Sequence, residues 1–537
     1  MKFRLRAITL AAAAFIAAAG VSACTNSTAA PAAGPSAGAS ANNAIIPQLT
    51  VGTNFSMSTL DPTKASYASY VNNLSLETLL KFGVNTTLEP NLATSWSQTG
   101  PVTYLYHLRP GVKFWDGTEL TSADVVYSWD YYRSPGSLAA TGFASVKSIS
   151  APSRYTVVVT LTHPDASWQY TPAEGPGIFE MKFAQAHKGT FGQPGTLIMG
   201  SGPWQVDSFD PTAGAELSAN PRWWGGTVPI THITVKLFAN ETSLELAMRA
   251  GEVDFDPYIL DSKSFAAAAG TPLLASPSCA LGIFAMSTKS GPWSDVHVRE
   301  AAAYALNRPD IIAAAAGTNT PISTYLPAQA LDELASPAQV SKLIAAVNTY
   351  PYSVAKAKQE LAKSAYPHGF STTLYEYNYG SSVDISETIA AELQKIGINA
   401  RVKVAPTLTA WQAVMTGPVA SRPTEFSTGW CTGPDISGYG FALGSQNAVP
   451  GEWNVADYTP PVVDSLLNAG LETSDPAKRF VIYSQLLKKL QSDLPYIGLY
   501  MEDTSIALSS KFTAPGFAQH YWYFNDDDYA LDIKSAA

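Results

Sequence analysis

Seven histidines, three cysteines and one Gly-Pro-Ser-Ala-Gly run are the first places in this chain to look for catalysis or ligation. The histidines stand at 107, 163, 187, 232, 297, 368 and 520. None pair at metal-ligand spacing, and no Cys/His cluster accompanies them, so direct metal capture is not expected. Gly34-Pro35-Ser36-Ala37-Gly38 matches the hydrolase nucleophile elbow in form. That motif needs a strand before it and a helix after it, and here it sits in a linker-like stretch. There is no Gly-rich phosphate loop and no HExxH. A glycosidase acid pair among the 43 Asp and Glu would be invisible in sequence. A secreted glycoside hydrolase therefore stands as the competing enzyme reading, which turnover of a candidate ligand would distinguish. The residues themselves point to no catalytic site, no metal site and no cofactor.

Any site must be positioned by more than one body. The 537 residues exceed what one hydrophobic core serves. With 46% hydrophobic and 11% aromatic residues, the chain can fill large cores. Only 14% of residues are charged and the net charge is −10, which lacks the basic footprint of a nucleic-acid binder. The 12 Trp and 26 Tyr suit cavity walls as well as cores.

The N-terminus sets the expected compartment. Lys2, Arg4 and Arg6 precede an uncharged run from Ala7 to Gly20, then Val21-Ser22-Ala23-Cys24. The run is too short to span a membrane, which takes roughly 20 residues, and fits a signal peptide over 1–23. Its end resembles a bacterial lipobox, so Cys24 is expected to be lipidated. Residues 24–44 then read as the lipidated Cys and a flexible tether. Such a protein is held at the outer face of the cell membrane yet free to reorient.

Further on, Val102, Tyr104, Tyr106 and Leu108 alternate as in a strand, with His107 on the opposite, solvent face. Thr121 to Asp124 is a capping box opening a helix that holds Val125, Val126 and Trp129. Tyr155–Leu161 and Ile233–Phe238 read as strands. Ile385, Ile389, Leu393 and Ile396 form an amphipathic helical stripe, as do Phe480, Tyr483, Leu487 and Leu490. Arg109-Pro110-Gly111 and Asp116-Gly117 read as turns. Arg299 is expected to pair with a carboxylate inside the fold. Strands and helices mix without strict alternation, so the class is α/β with more than one lobe.

Several of these segments together resemble the extracytoplasmic solute-binding proteins of ABC transporters, family 5, the peptide- and nickel-binding group. The likeness rests on Leu60-Asp61-Pro62, Glu77 to Leu80, Leu88 to Trp96, Leu108 to Thr118 with Ala123 to Val126, Gly202-Pro203-Trp204, Asn220 to Trp224, Gly251 to Asp254, Asp295 to Arg299, Ala305 to Arg308 and Ala390 to Gly397. It covers roughly 47–510 and depends on the number and order of the motifs.

The resemblance implies a type II periplasmic-binding-protein fold, with two lobes, a hinge and an extra domain. Carried over, lobe one takes 45–80, 196–278 and 501–537; the extra domain takes 81–195; lobe two takes 279–500. It implies a monomer that closes on a small peptide and delivers it to the permease of an ABC importer. Cys279 and Cys431 are an even pair in an oxidising exterior, and some relatives bridge the matching positions; two buried thiols are the alternative. A bridge would close a loop of roughly 150 residues, worth up to ~5 kcal/mol in the chain-entropy model. Gly429-Trp430-Cys431-Thr432-Gly433-Pro434-Asp435 resembles the loop in which an Asp holds a peptide's α-ammonium. In relatives that Asp comes three residues after the Trp, where Gly433 stands here; Asp435 comes five after. The resemblance thus implies ligand contacts from Asp435, Trp430, Cys431 and Gly433, with Trp411, Tyr67, Phe143 and Ser427 lining the cleft. An oligosaccharide, or haem or another metal chelate, is the alternative ligand within the same family.

Overall fold

The computed structural model describes residues 41–537 apart from 43, 56, 65–69, 84–85, 260–264, 266–272, 316–318, 378–379, 419–421, 424, 432, 434, 518–528 and 537. Cys24, Tyr67, the signal segment and most of the tether lie outside the described residues. One part of the stretch read as tether is paired: Ala41 and Asn42 form a strand against Ala536 and Ser535, which gives their backbone groups partners other than water.

Along the chain, β1 (Ile46–Thr53) leads to a four-stranded antiparallel sheet. Its strands are β2 (Ala93–Gly100), β3 (Thr103–Leu108), β4 (Val146–Ser153) and β5 (Thr156–Leu161), in the order β2-β3-β5-β4. The expected alternation holds in β3: Tyr104, Tyr106 and Leu108 are buried and His107 is exposed. Helix α1 (Ser122–Tyr132) starts at the capping box, where the Asp124 carboxylate accepts the Thr121 N–H at 2.9 Å. Gly111 and Gly117 take φ of 79° and 93°, the left-handed values those two turns require.

Next come β6 (Trp204–Asp210), β7 (Gly214–Ala219), β8 (Ile230–Leu237), β9 (Phe255–Asp256) and the long β10 (Leu273–Met286). Helix α2 (Val296–Ala305), the two-residue β11 (Thr320–Pro321) and the parallel pair β12 (Ser371–Tyr377) and β13 (Asn399–Ala405) follow. Between that pair lies α3 (Ser382–Gln394), which buries Ile385, Ile389 and Leu393 as its stripe predicts. The chain ends its regular course with α4 (Leu408–Met415), β14 (Glu425–Cys431), α5 (Pro476–Asp493) and β15 (Tyr496–Leu508).

One nine-stranded sheet runs β14-β10-β15-β9-β1-β8-β7-β6, with β11 beside β15. β1 is parallel to β8 and β9, and the remaining pairs of this sheet are antiparallel. The class is α/β, as expected. Four apolar clusters fill it. The largest draws on residues 46–237 with Phe255, Ile506, Leu508 and the end of the chain, so 81–195 shares a core with the residues around it. The second and third lie within 281–501, around Trp411, Tyr439 and Tyr483 and around Trp293, Ile389 and Tyr500. A small fourth gathers at Leu244 and Ala507. β15 threads all four.

Arg299 corrects the expectation of a carboxylate partner. It is buried, and its Nε and Nη1 donate to the backbone carbonyls of Asp493 and Trp293 at 2.8 and 2.6 Å. The guanidinium ties α2 to the end of α5, where the last helical carbonyls lack intrahelical donors. Burial holds its pKa below the usual value, and the nearby Asp493 and Asp295 charges oppose that.

Candidate functional site

β14 carries the segment that the family likeness marked. Its antiparallel register with β10 sets Ser427 opposite Phe284, Gly429 opposite Gly282, Trp430 opposite Leu281 and Cys431 opposite Ala280. The side chains of Ser427, Trp430 and Cys431 lie outside the described residues. Gly433 has φ 73°, so the chain turns sharply just past the strand. Asp435 follows, and its Oδ1 accepts the Ser437 N–H at 2.8 Å, starting a 3₁₀ turn.

Asp435 is also fully engaged in an ion pair. Arg479 Nη2 lies 2.8 and 2.9 Å from its two carboxylate oxygens. Both residues are buried, 7% and 3% exposed. Arg479 sits one turn into α5, a helix opened by the Asp475 cap and Pro476. Its Nε donates to the Gly470 carbonyl at 3.0 Å, and its Nη2 reaches the Tyr483 hydroxyl at 3.4 Å. Burial works against the guanidinium's charge, but Asp435 beside it more than restores it, so its pKa is raised. A loop carboxylate and a helix guanidinium thus neutralise one another out of water.

The Asp435–Arg479 pair stands at a seam. The Ala166 N–H donates to the Leu471 carbonyl at 2.8 Å. Thr86 Oγ1 donates to Glu333 Oε1 at 2.7 Å, and the Tyr170 hydroxyl donates to Glu333 Oε2. Glu174 is pushed up to about 7 by burial, then by the charges of Asp435 and Asp165. Tyr104 is pushed up to about 12 by burial and Asp165, against the pull of Arg479. Residues 86–174 therefore face residues 333–483 across a polar boundary.

A cavity of about 580 Å³ lies on the first side of this seam, walled by side chains from 62–225 and Leu531. Phe143 and Glu174 line it; Trp411 and Asp435 do not. Its polar groups largely satisfy each other. Glu77 Oε1 accepts from Trp223 Nε1 at 3.1 Å and Trp224 Nε1 at 2.8 Å, and Oε2 accepts from Ser201 Oγ at 2.7 Å. The Arg109 guanidinium lies 4.0 Å over the Trp224 ring. Phe143 is also a core residue, with ring centroids 6.0 Å from Trp129 and 5.8 Å from Trp168. Trp411, on α4, is 5% exposed and packs against Tyr377 and Trp453 in the second core, each at 6.3 Å. Of the expected lining residues, Phe143 walls this cavity and Trp411 packs in the second core.

Sequence reading did not mark Arg479, Glu174, Tyr170 or Glu333. One signal was available: Arg479 stands one turn before Tyr483, a charged residue on the buried stripe of α5. The structure also brings His297, Glu300 and Glu360 together. His297 Nδ1 is 3.2 Å from a carboxylate oxygen of each. Lys363 Nζ lies 2.7 and 2.9 Å from the two Glu360 oxygens, so that carboxylate already has a cation. Among the described residues no helix is long and apolar enough to cross a membrane.

Comparison with known proteins agrees with this architecture. Residues 87–436 match the model of the bacterial extracellular solute-binding proteins, family 5 Middle. The glutathione-binding protein GsiB of Escherichia coli (strain K12) is 26% identical over 504 residues, covering 90% of this chain and 93% of GsiB. The ABC transporter substrate-binding protein CtaP of Listeria monocytogenes superposes with a TM-score of 0.76 at 19% identity, covering 92% of this chain and all of that one. The periplasmic binding protein DppA of Helicobacter pylori, in complex with the peptide STSA, gives 0.70 at 21% identity over 92% of this chain and 99% of that one.

Proposed function

The chain belongs to the bacterial extracellular solute-binding proteins of family 5, and from that premise we propose that it captures short peptides between two closing lobes and hands them to an ABC permease. Membership makes it a substrate-binding protein of an ABC importer, not an enzyme, with the type II periplasmic-binding-protein fold.

One observation carries the peptide-capture reading. The side chains meeting at the seam come from 86–174 on one side and 333–483 on the other, while the long strands β10 and β15 run between the cores. Such an arrangement can open by bending those strands and close on a solute that touches both sides. The peptide as ligand is supported by likeness to a glutathione-binding protein and to a binding protein in complex with STSA. In this reading lobe one is 45–80, 196–278 and 501–537, with 81–195 inserted and 279–500 as lobe two. Ser427, Trp430, Cys431 and Gly433 line the cleft with Tyr67, Phe143 and Trp411. A ligand ammonium meets Asp435 only in competition with Arg479. Residues 1–23 are removed, Cys24 carries the lipid, 25–40 tether the monomer to the outer face of the cell membrane, and Cys279 is bridged to Cys431. One fact supports the bridge: Ala280, next to Cys279, faces Cys431 across the ladder.

Native mass spectrometry of protein purified without unfolding, then mildly denatured, tests the ligand class. A ladder of short-peptide masses is expected. A single sugar or metal-chelate mass, or added peptides that leave the melting temperature unmoved, would overturn the peptide reading.

A further inference from the structure

Two helices of the third core meet at three metal-ligating side chains. Helix α2 turns Val298, Ala301 and Ala302 inward, and the helix Val354–Leu361 turns in Ala357 and Leu361. Asp295 fastens the two at one end. Its Oδ1 accepts the His297 N–H at 2.9 Å, and its Oδ2 accepts the Ala365 N–H at 3.0 Å. His297 and Glu300, three residues apart, share one face of α2. Glu360 joins them from the second helix, just before the buried Leu361. All three side chains are partly exposed, so an ion in water can reach them.

The geometry suits one such ion. His297 Nδ1 lies 3.2 Å from Glu300 Oε2 and 3.2 Å from Glu360 Oε2, and the three donor atoms lie within 4.8 Å of one another. A ring nitrogen carries at most one proton, so a single N–H on Nδ1 has two carboxylates to serve. A cation at the centre answers all three atoms at once. Zinc bonds imidazole nitrogen and carboxylate oxygen at about 2.0–2.2 Å in a tetrahedron, which sets its ligands about 3.3–3.5 Å apart. The two observed separations are close to that spacing. An imidazole among the donors favours a first-row ion such as Zn2+ over Mg2+ or Ca2+, which take oxygen ligands. The neighbouring groups support the arrangement. The Tyr350 hydroxyl lies 3.3 Å from Glu300 Oε1, the oxygen turned away from His297. Lys363 Nζ lies 2.7 Å from Glu360 Oε1 and 2.9 Å from Oε2. Lys363 is 56% exposed, so its hold on the carboxylate is weak, and an ion on Oε2 leaves Oε1 to it. With the imidazole neutral, two carboxylates against one ammonium leave a negative charge for a divalent ion to meet. Glu360 stands 63 residues beyond His297, so no local spacing announces the set.

We propose that His297, Glu300 and Glu360 form a zinc-type metal site, with water in the fourth position, that ties α2 to the helix Val354–Leu361. None of the residues read as ligand contacts takes part, so this inference is independent of the peptide reading.

Isothermal titration calorimetry of the full, untagged protein, stripped of metal with EDTA and then freed of the chelator, tests it with Zn2+ and Mg2+. The wild type is expected to bind one Zn2+ and to give no saturable heat with Mg2+. His297→Gln and Glu360→Gln should each weaken Zn2+ binding at least tenfold. Zn2+ should raise the melting temperature of the wild type and leave that of His297→Gln unmoved. Lys363→Gln keeps all three donors and removes a competing cation, so it should bind Zn2+ more tightly; that gain cannot come from a damaged fold. X-ray absorption at the zinc edge should show one imidazole nitrogen among oxygens. If the wild type binds no Zn2+, if the His297 and Glu360 variants bind it as tightly, if Lys363→Gln binds it more weakly, or if the absorption shows sulfur or several imidazoles, the site is wrong.

Discussion

Asp435 and Glu502 are two carboxylates drawn away from water, the first buried and the second partly buried, and they are treated in opposite ways. Asp435 has a guanidinium across both oxygens and a backbone N–H besides. Glu502, inside β15, is partly buried, and burial pushes its pKa up to about 7. The loop that family likeness marks for an amine is already neutral. The strand it leaves unmarked carries the unanswered charge. A paired carboxylate keeps its charge inside the fold; an unpaired one holds its proton instead.

Breaking the paired acid should give the largest effect. Asp435→Ala leaves Arg479 buried and uncompensated, so a loss of about 3–5 kcal/mol is expected in denaturant unfolding. Asp435→Leu with Arg479→Met should recover most of that loss; if the double variant is no better than the single, the pair is not the cause. Next is the proposed Cys279–Cys431 bridge, which would tie β10 to the strand that leads into the Asp435 loop. Cys431→Ser should lower stability by about 2–4 kcal/mol, and reductant should lower the melting temperature of the wild type but not of the variant. No change under reductant would remove the bridge from the account.

The unpaired acid should respond with the opposite sign. Its folded pKa is raised from 4.5 to about 7, so the folded state holds a proton that the unfolded state releases. Its contribution is fully present below pH ~4.5 and is lost as pH rises through about 7. Glu502→Gln should therefore match the wild type at pH 4.5 and exceed it by about 1–2 kcal/mol at pH 8. Reading the difference between the two proteins removes the contributions of Glu174 and Glu376, which titrate in the same window. The smallest effect is expected at the seam itself. Glu333→Ala deletes the acceptor for Tyr170 and Thr86, about 1 kcal/mol of closure, and small-angle scattering of the ligand-free protein should report a larger radius of gyration.

Local grammar was legible in the sequence. The Tyr104/Tyr106/Leu108 alternation, the Thr121/Asp124 cap and the Ile385/Ile389/Leu393 stripe each depend on neighbours within a turn or a pleat, and each appears as read. The fold was legible through the order of many motifs. Partnerships across the chain were not. Asp435 and Arg479 stand 44 residues apart, and Tyr170 and Glu333 stand 163 apart. Arg299 shows the limit plainly: its type predicts an ionic partner, and carbonyls from two distant segments supply the acceptors instead. What could have been seen is a charge where the pattern asks for none: Arg479 on a buried helical stripe, and Glu502 inside a strand that is apolar before and after it.

A crystal structure with trialanine bound tests the central claim most directly. The account predicts the peptide held between residues 86–174 and 333–483, with Arg479 still on Asp435. An ammonium seated on Asp435 with Arg479 displaced, or a peptide that touches one side alone, would contradict the account.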